Sequence, residues 1–184
     1  MIIMINGAFG VGKTTVSHLL KEKIENSMIF DPEEVGFLLR DTVPHEVRYE
    51  EENTDDFQDF VLWKVVTVQL AEHLISHYKV NLIVPMTIYQ KDNFHYIFNG
   101  FKNIDENTYH FCLKASKDTI YERLLKRGEK EGNWCFQQTE KCLQAFENGS
   151  FREYINTENI NENEVVSKIM ECINDSTKRL CISE

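Results

Sequence analysis

The sequence predicts an α/β domain in three layers, with a five-stranded parallel sheet between two layers of helices. Short apolar runs that suit strands buried on both faces alternate along the chain with amphipathic segments that suit helices. This alternation is typical of parallel sheets, because parallel strands need crossover connections and a helix usually supplies them. The chain has 184 residues, enough for a sizeable core. We therefore expect a single domain over residues 1–184.

The first half of the chain is predicted to contain three strands and three helices. Each strand is a short apolar run; the second ends at Asp31 and the third is closed by Pro85. The second helix starts with Asp31 as N-cap, Pro32 at its first position and acids in its first turn. The third helix is predicted from apolar residues at helical spacing. Residues 41–53 contain Pro44 and three consecutive glutamates, which predicts a loop or a mobile substrate segment. The strands are placed at 2–5, 28–30 and 80–84, and the helices at 13–26, 31–40 and 54–78.

The second half continues the alternation and adds a polar flap. Residues 128–133 are polar and contain two glycines, which predicts an exposed lid. Asn161 begins a segment that resembles a capping box, so the last helix is expected to start there, and no order signal follows Asn174. The strands are placed at 109–113 and 151–155, and the helices after Asp92, at 116–127, at 134–147 and from 161. Right-handed crossovers bring the C-terminal ends of all strands to one edge, where ligands bind in such sheets.

The segment Gly7-Ala8-Phe9-Gly10-Val11-Gly12-Lys13-Thr14 matches the phosphate-binding loop in full. It stands between a predicted buried strand and a predicted helix, so a chance glycine-rich turn is a poor explanation. The glycines let backbone N–H groups surround phosphate oxygens, and the helix directs its positive end at them. We expect Lys13 to reach the β- and γ-phosphates and the Thr14 hydroxyl to ligate magnesium. Together with Thr15, this segment is assigned to binding ATP and Mg²⁺, and Lys13 also to catalysis.

Three residues are candidates for substrate binding: Asp31, Arg40 and Thr87. Asp31 has two interpretations that the sequence does not separate. It is either a base or magnesium-side carboxylate facing the γ-phosphate, or the cap of the following helix, and one residue can serve both purposes. Arg40 either binds an acceptor group or is simply a cation at a helix C-terminus. Thr87 follows the third strand, at the same edge as Gly7 and Asp31.

Two arginines precede the predicted lid. Arg123 and Arg127 are four residues apart on a predicted helix and therefore lie on one face. One guanidinium could stack on a nucleotide base while the other neutralises phosphate charge. The alternative is a solvated basic face, but the position directly before residues 128–133 favours a role in nucleotide binding. We assign both arginines to the nucleotide and Arg127 also to catalysis.

Motif content separates this chain from two large classes of phosphate-loop protein. GTPase switches need an Asn-Lys-x-Asp and an Asp-x-x-Gly segment, and neither occurs here. Motor and helicase ATPases usually end a later apolar strand in Asp–Glu, whereas the third strand here ends Val84-Pro85-Met86-Thr87. Small size, Asp31 and the arginine-flanked lid instead favour a small-molecule phosphotransferase. In that chemistry the protein mainly positions reactants and neutralises charge.

Composition restricts the classes of partner that we expect and the cellular compartment that we expect. Lys and Arg total 20 and Asp and Glu total 30, and the net charge of −10 disfavours nucleic acid and anionic lipid. Five cysteines without a Cys-x-x-Cys pair indicate neither a disulfide framework nor a zinc site. No stretch approaches the ~18 apolar residues of a membrane span. We expect a cytoplasmic protein with a small-molecule acceptor and no nucleic-acid partner; the sequence leaves the oligomeric state open.

Several segments together resemble the tunicamycin resistance protein family. The likeness covers roughly residues 2–160, and its most specific segments are the Asp-Pro-Glu and Val-Pro-Met-Thr-Ile stretches, since the phosphate loop alone is widespread. The matching segments are Ile5-Asn6-Gly7-Ala8-Phe9-Gly10, Asp31-Pro32-Glu33, Gly36-Phe37, Leu39-Arg40, Val43-Pro44, Asp56-Phe57-Gln58, Leu62-Trp63, Leu82-Ile83-Val84-Pro85-Met86-Thr87-Ile88, Ala115-Ser116-Lys117 and Trp134.

The resemblance implies a P-loop NTPase fold like that of adenylate and shikimate kinases, with a short lid. It also implies ATP binding and protection against a uridine-containing, fatty-acylated antibiotic, by phosphorylation or by sequestration. In adenylate-kinase-like enzymes the counterpart of Arg123 stacks on adenine and that of Arg127 contacts phosphate. A third alternative is a nucleotide-driven regulatory ATPase. The short segment after Ser176 argues against membrane association.

Overall fold

A computed structural model describes residues 1–147, 151 and 153–181, and for residues 176–181 only the backbone. The strands are β1 (Ile2–Gly7), β2 (Ser27–Ile29), β3 (Asn81–Met86), β4 (Thr108–Lys114) and β5 (Tyr154–Asn156). The helices are α1 (Lys13–Lys23), α2 (Pro32–Thr42), α3 (Val61–Tyr78), α4 (Lys91–Ile104), α5 (Lys117–Lys126), α6 (Trp134–Glu147) and α7 (Glu162–Cys181). Short 3₁₀ turns lie at His45–Val47, Glu50–Glu52 and Phe57–Asp59.

β1 is the centre of a parallel sheet with the strand order β2-β3-β1-β4-β5. Ile2 lies opposite Leu82 on one side and Thr108 on the other. All four residues of Ile2–Ile5 are 0% exposed, which explains why this strand is a continuous apolar run and not an alternating one. Helices α1 and α7 pack together, and α3 packs on α2 and α4. The predicted α/β fold with five parallel strands is confirmed.

The predicted helix 54–78 is wrong in its first turns, because α3 begins only at Val61. The Asp56 side chain accepts a hydrogen bond from Gln58 N and so caps a separate 3₁₀ turn. The Gln58 amide oxygen accepts bonds from the backbone of Tyr89 and Gln90, at 3.1 and 3.2 Å. These contacts are long-range, so helical spacing alone could not reveal that they divide the segment.

Two expectations near the C-terminus also need correction. The fifth strand covers 154–156 instead of 151–155, and Arg152 lies outside the described residues. Phe151 is 1% exposed and packs edge-on against Phe94 and Phe146. It is apolar because it packs in the core, although it does not belong to a strand. Helix α7 continues to Cys181, well past the point where the sequence shows no order signal.

Residues 41–53 hold the end of α2 and two of the 3₁₀ turns. The Arg48 guanidinium donates to the carbonyls of Arg40 and Val43 at 2.6 and 2.7 Å. The Glu52 carboxylate accepts from the backbone of Tyr49 and Val61. These bonds tie the segment to α2 and to the start of α3, and its mobility stays a prediction. No helix in the described ranges is long and apolar enough to cross a membrane.

Candidate functional site

The site lies at the edge of the sheet where β1 and β3 end. The loop between β1 and α1 takes left-handed backbone conformations at Gly10 (φ 80°) and Gly12 (φ 107°). A side chain at Gly10 would strike Leu124, whose Cγ lies 2.9 Å from the Cβ position, so glycine there lets α5 approach the loop. A Cβ at Gly12 would meet none of the described residues within 4 Å, because that position faces an open cradle at the N-terminus of α1.

Lys13 points back over this loop. Its ammonium donates to the carbonyl oxygens of Gly7 and Ala8, both at 3.0 Å, and lies 5.3 Å from the Phe9 ring centre. Burial lowers the pKa of Lys13 below its ordinary value, and the negative charge of Glu33 opposes that shift. Phosphate oxygens would offer this ammonium charged acceptors, which bind more strongly than two neutral carbonyls.

A cavity of about 690 Å³ opens in front of the loop. It brings together most residues predicted to hold the nucleotide, and Asp31 lines it as well. The predicted nucleotide residues in its wall are Phe9, Gly10, Gly12, Lys13, Thr14, Thr15, Arg123 and Arg127. Three other predicted residues do not line this nucleotide cavity. Gly7 and Ala8 hold the Lys13 ammonium through their carbonyls, and Val11 is 2% exposed in the core.

The two arginines differ in how they are held. The Arg123 guanidinium donates to the Val11 carbonyl at 3.2 Å and to the hydroxyl and carbonyl oxygens of Thr157 at 3.1 and 3.2 Å. It therefore links the phosphate loop to the residue after β5. The Arg127 side chain is 59% exposed just before the predicted lid, and its guanidinium lies 3.7 Å from the Glu129 carboxylate. The nucleotide roles of both arginines stay predictions.

Asp31 and Glu33 both lie near enough to Lys13 for their charges to interact with it. Asp31 Oδ1 accepts from the Glu33 backbone N–H at 2.9 Å and so caps α2, while the same residue lines the nucleotide cavity. Burial raises the pKa of both carboxyls above their ordinary values. The structure thus places Asp31 where either of its two sequence-based interpretations applies. Sequence reasoning used Glu33 only in the helix start and in the Asp31-Pro32-Glu33 segment of the resemblance, and gave it no role in the site.

A second cavity, of about 360 Å³, adjoins the first on the α2 and α3 side. Its wall contains six aromatic side chains, together with Arg40 and Thr87 from the predicted substrate residues. The third predicted substrate residue, Asp31, lines the nucleotide cavity instead. The aromatic members are Phe9, Phe37, Phe57, Trp63, Tyr89 and Trp134. We call this second space the aromatic cavity.

Phe9, Glu33 and Trp134 line both cavities and form a shared wall. The rings of Phe9 and Trp134 meet edge to face with centres 5.2 Å apart. Trp134 is the first residue of α6, directly after the predicted lid, so a movement of residues 128–133 would act on this wall. Sequence reasoning cited Trp134 only for the family resemblance and gave it no place in the site, because nothing local shows that the start of α6 meets the phosphate loop.

Two residues that line the aromatic cavity, Thr87 and Gln138, each have a buried polar atom without a hydrogen-bond partner among the described residues, namely Thr87 Oγ1 and Gln138 Oε1. Their residues are 9% and 6% exposed. Buried polar atoms are almost always paired, so these two are exceptions among the residues of the cavity wall. Arg40, by contrast, donates to the Asp55 carbonyl at 3.0 Å and lies over the Phe57 ring at 4.3 Å.

Comparison with known proteins identifies the family. Residues 3–142 match a family model described as an AAA domain. The chain belongs to this AAA domain family. Membership implies nucleotide binding, generally with Mg²⁺. No curated protein matches this AAA domain by sequence at a significant level.

Solved structures similar to this AAA domain agree with the sequence-based resemblance. The tunicamycin resistance protein of Deinococcus radiodurans is 28% identical, with 94% of each chain covered and a TM-score of 0.75. This finding confirms the resemblance that the Asp-Pro-Glu and Val-Pro-Met-Thr-Ile segments carry. A gluconokinase from Sinorhizobium meliloti (13% identity, coverage 99% and 96%, TM-score 0.67) shares the fold. So does the shikimate kinase from Acinetobacter baumannii in complex with shikimate (14% identity, coverage 95% and 93%, TM-score 0.63).

Proposed function

We propose that this AAA domain is an ATP-dependent small-molecule kinase, and that the acceptor binds in the aromatic cavity. The observation that carries the proposal is the shared wall between the two cavities. A kinase must hold a nucleotide and an acceptor in contact across one reacting phosphoryl group, away from water. Here one cavity has a phosphate loop, and the adjoining one is lined by six aromatic side chains and by Thr87 and Gln138. Each of those two residues has a buried polar atom without a partner among the described residues.

The residues of the nucleotide cavity fit ATP with Mg²⁺. The Gly12 cradle, the N-terminus of α1 and the Lys13 ammonium would receive the phosphates. Within the described ranges, no group of three acidic, cysteine or histidine side chains could hold a metal alone. Magnesium in such sites is bound through one or two side chains and the phosphates themselves, which suits the Thr14 hydroxyl and the nearby Asp31. The metal would neutralise charge on the transferred group.

The chemical step that this arrangement supports is an in-line transfer. An acceptor hydroxyl in the aromatic cavity attacks the γ-phosphorus, the bond to the β-phosphate oxygen breaks, and ADP leaves with that oxygen. The hydroxyl proton passes to a carboxylate, for which Asp31 and Glu33 are the candidates. Burial raises the pKa of both, which brings a carboxylate closer to the range in which a base works best. Lys13 balances the charge that gathers on the phosphates.

A mass-spectrometric search for a phosphorylated product tests the proposal. The protein would be incubated with ATP, magnesium and a panel of nucleosides, sugars and nucleoside antibiotics that includes tunicamycin. We expect one class of acceptor to gain one phosphoryl group, and Lys13→Ala to abolish the product. If ATP and an acceptor both bind and no acceptor is phosphorylated, the kinase proposal is rejected.

A second candidate function is nucleotide-dependent sequestration of an antibiotic without transfer. It is favoured by the 28% identical relative, whose name records resistance to tunicamycin and not a reaction. Tight binding of tunicamycin with ADP or ATP present, and no product, would support it. A regulatory ATPase, the remaining alternative, would hydrolyse ATP steadily at a rate that no acceptor changes.

A further inference from the structure

Asn6 is a buried polar residue at the point where β1 leads into the phosphate loop. It is 0% exposed and directly follows the apolar run Ile2–Ile5. Its amide oxygen Oδ1 accepts hydrogen bonds from the backbone N–H groups of Gly7 at 2.8 Å and Ile88 at 2.9 Å. Its amide nitrogen Nδ2 donates to the Ile88 carbonyl at 3.0 Å. One side chain therefore pairs three backbone groups, two of them on a residue 82 positions away.

These bonds extend the junction between β1 and β3 beyond its backbone ladder. The ladder ends with Asn6 opposite Met86, and Ile88 lies two residues further along the chain. The register with β3 includes no residue of β1 after Asn6, so a side chain takes over the pairing there. An amide suits this position, because it offers an acceptor and a donor side by side to the N–H and the carbonyl of one residue.

Gly7 connects Asn6 to the ammonium of Lys13. The Gly7 N–H is bonded to Asn6, and the Gly7 carbonyl accepts from Lys13 Nζ at 3.0 Å. A Cβ at Gly7 would lie 2.8 Å from the Leu113 carbonyl oxygen, so β4 packs closely against this residue. Hydrogen bonds thus lead without a break from Ile88 through Asn6 and Gly7 to Lys13.

A second buried amide holds the chain after β3 from the side of the aromatic cavity. We call residues 87–90 the connecting segment. Gln58 is 7% exposed, and its amide oxygen accepts from the backbone N–H groups of Tyr89 and Gln90. Gln58 and Tyr89 both line the aromatic cavity. The connecting segment is therefore bonded to the strand before the phosphate loop through Asn6, and to the wall of the aromatic cavity through Gln58.

We propose that Asn6 is a positioning residue that couples the phosphate loop to the wall of the aromatic cavity. The proposal rests on the proposed function in taking these two places as the donor and acceptor sites. Transfer depends on the separation of the reacting groups, and a displacement of about 1 Å can cost about 100-fold in rate. Asn6 lines neither cavity. It acts through Gly7 on one side and Ile88 on the other.

Amide hydrogen exchange tests this coupling in the wild type without any reaction. The protein would be labelled with and without magnesium and a non-hydrolysable ATP analogue. Bound nucleotide fixes the loop that Asn6 holds, so the bond from the Ile88 N–H should open more rarely. Its exchange should slow at least about fivefold, the lower end of typical coupling between two sites. Asn6→Leu removes all three bonds and should abolish this response. Equal exchange of the Ile88 amide in the two wild-type states would overturn the proposal.

Transfer kinetics separate positioning from stability. Asn6→Asp keeps the shape and an oxygen for both accepted bonds, but at pH 8 its ionised carboxylate cannot donate to the Ile88 carbonyl. We expect kcat to fall about 10- to 100-fold, with the KM values for ATP and acceptor within about threefold of the wild type.

The matched control is Thr108→Val, at the opposite edge of the sheet. Thr108 is 3% exposed, and its hydroxyl lies within hydrogen-bond distance of the Phe101 and Asp105 carbonyls. The control should lower the melting temperature and leave kcat unchanged. A kcat for Asn6→Asp equal to that of the control would overturn the proposal.

The kinase proposal and this proposal fail separately. The exchange experiment contains no transferable phosphate, so its outcome does not depend on catalysis. If the Ile88 amide responds to nucleotide through Asn6 and no acceptor is phosphorylated, the coupling stands and the kinase falls. If an acceptor is phosphorylated and the Ile88 amide does not respond, or Asn6→Asp transfers at the wild-type rate, the kinase stands and the coupling falls.

Discussion

At the scale of single residues, the Lys13 side chain is bonded to its own loop, and we predict that bound phosphate would compete for that ammonium. Its ammonium bonds two carbonyls of its own loop, and burial lowers its pKa. Lys13→Ala removes two hydrogen bonds and also a desolvated charge, and these effects oppose each other in the free energy of unfolding. The phosphate loses a charge-assisted partner worth roughly 1.5–3 kcal/mol, so ATP affinity should fall about 10- to 150-fold. Calorimetry measures the affinity. An unchanged ATP affinity in Lys13→Ala, with a normal melting temperature, would contradict the assignment of this loop to phosphate binding.

The two interpretations of Asp31 can be separated by two substitutions. Asn caps a helix about as well as Asp, so Asp31→Asn should melt nearly normally and bind ATP. If the carboxylate is the base, transfer to the acceptor should fall about 10²–10⁴-fold. Asp31→Ala should additionally cost about 1 kcal/mol of stability through loss of the cap. A transfer rate for Asp31→Asn within about threefold of the wild type, or about 0.65 kcal/mol, would leave only the capping role.

Glu33 gives a prediction about pH. Burial raises the pKa of this carboxyl above its ordinary 4.5, so the unfolded chain releases the proton first as the pH rises. The protonated form therefore stabilises the fold below pH 4.5, and that stability is lost as the pH rises through the folded-state pKa. Glu33→Gln does not titrate, so its melting temperature should exceed that of the wild type at pH 7, with the difference shrinking at pH 4. The exposed neighbour supplies the control, Glu34→Gln. A pH-independent difference between Glu33→Gln and wild type would contradict the assigned burial.

At the scale of elements, neighbouring residues determine where some helices begin, and long-range contacts determine where others begin. The start of α2 could be predicted because its cap, proline and acids are adjacent in the chain. The start of α3 could not be predicted. The Gln58 amide, which divides residues 54–78, is bonded to Tyr89 and Gln90, which lie 31 and 32 positions further along the chain. Phe151 likewise looked like a strand residue, since apolar character does not tell whether a side chain packs beneath a sheet or within it.

The lid gives the prediction at this scale. Residues 128–133 connect α5 to Trp134 on the shared wall and have left-handed glycines at both Gly128 and Gly132. Polar, glycine-containing segments with few apolar anchors open easily, and nucleotide would close this one through Arg127. Amide hydrogen exchange in residues 128–133 should slow when an ATP analogue and magnesium bind, while exchange in β1 stays unchanged. Equal exchange with and without the analogue would indicate an ordinary surface loop.

At the scale of the whole molecule, the sheet edge could be predicted and the second cavity could not. Gly7, Asp31 and Thr87 each follow a buried run, and parallel topology alone brings such ends together. The aromatic cavity is assembled from α2, the 3₁₀ turn before α3, the end of β3 and the start of α6. No single segment of the sequence shows a pattern for this cavity. The positions of Trp134 and Gln138 in its wall are therefore apparent only in the folded chain.

The partition of label from γ-labelled ATP tests most directly whether the two cavities are donor and acceptor sites of one reaction. Wild type, Asp31→Asn and Thr87→Val would be compared with uridine and tunicamycin as acceptors. We predict that label accumulates on an acceptor, far faster than as inorganic phosphate, and that Thr87→Val raises the acceptor concentration needed without lowering the release of phosphate in its absence. Label that appears only as inorganic phosphate, at a rate that no acceptor changes, would contradict a shared reaction at the wall of Phe9, Glu33 and Trp134.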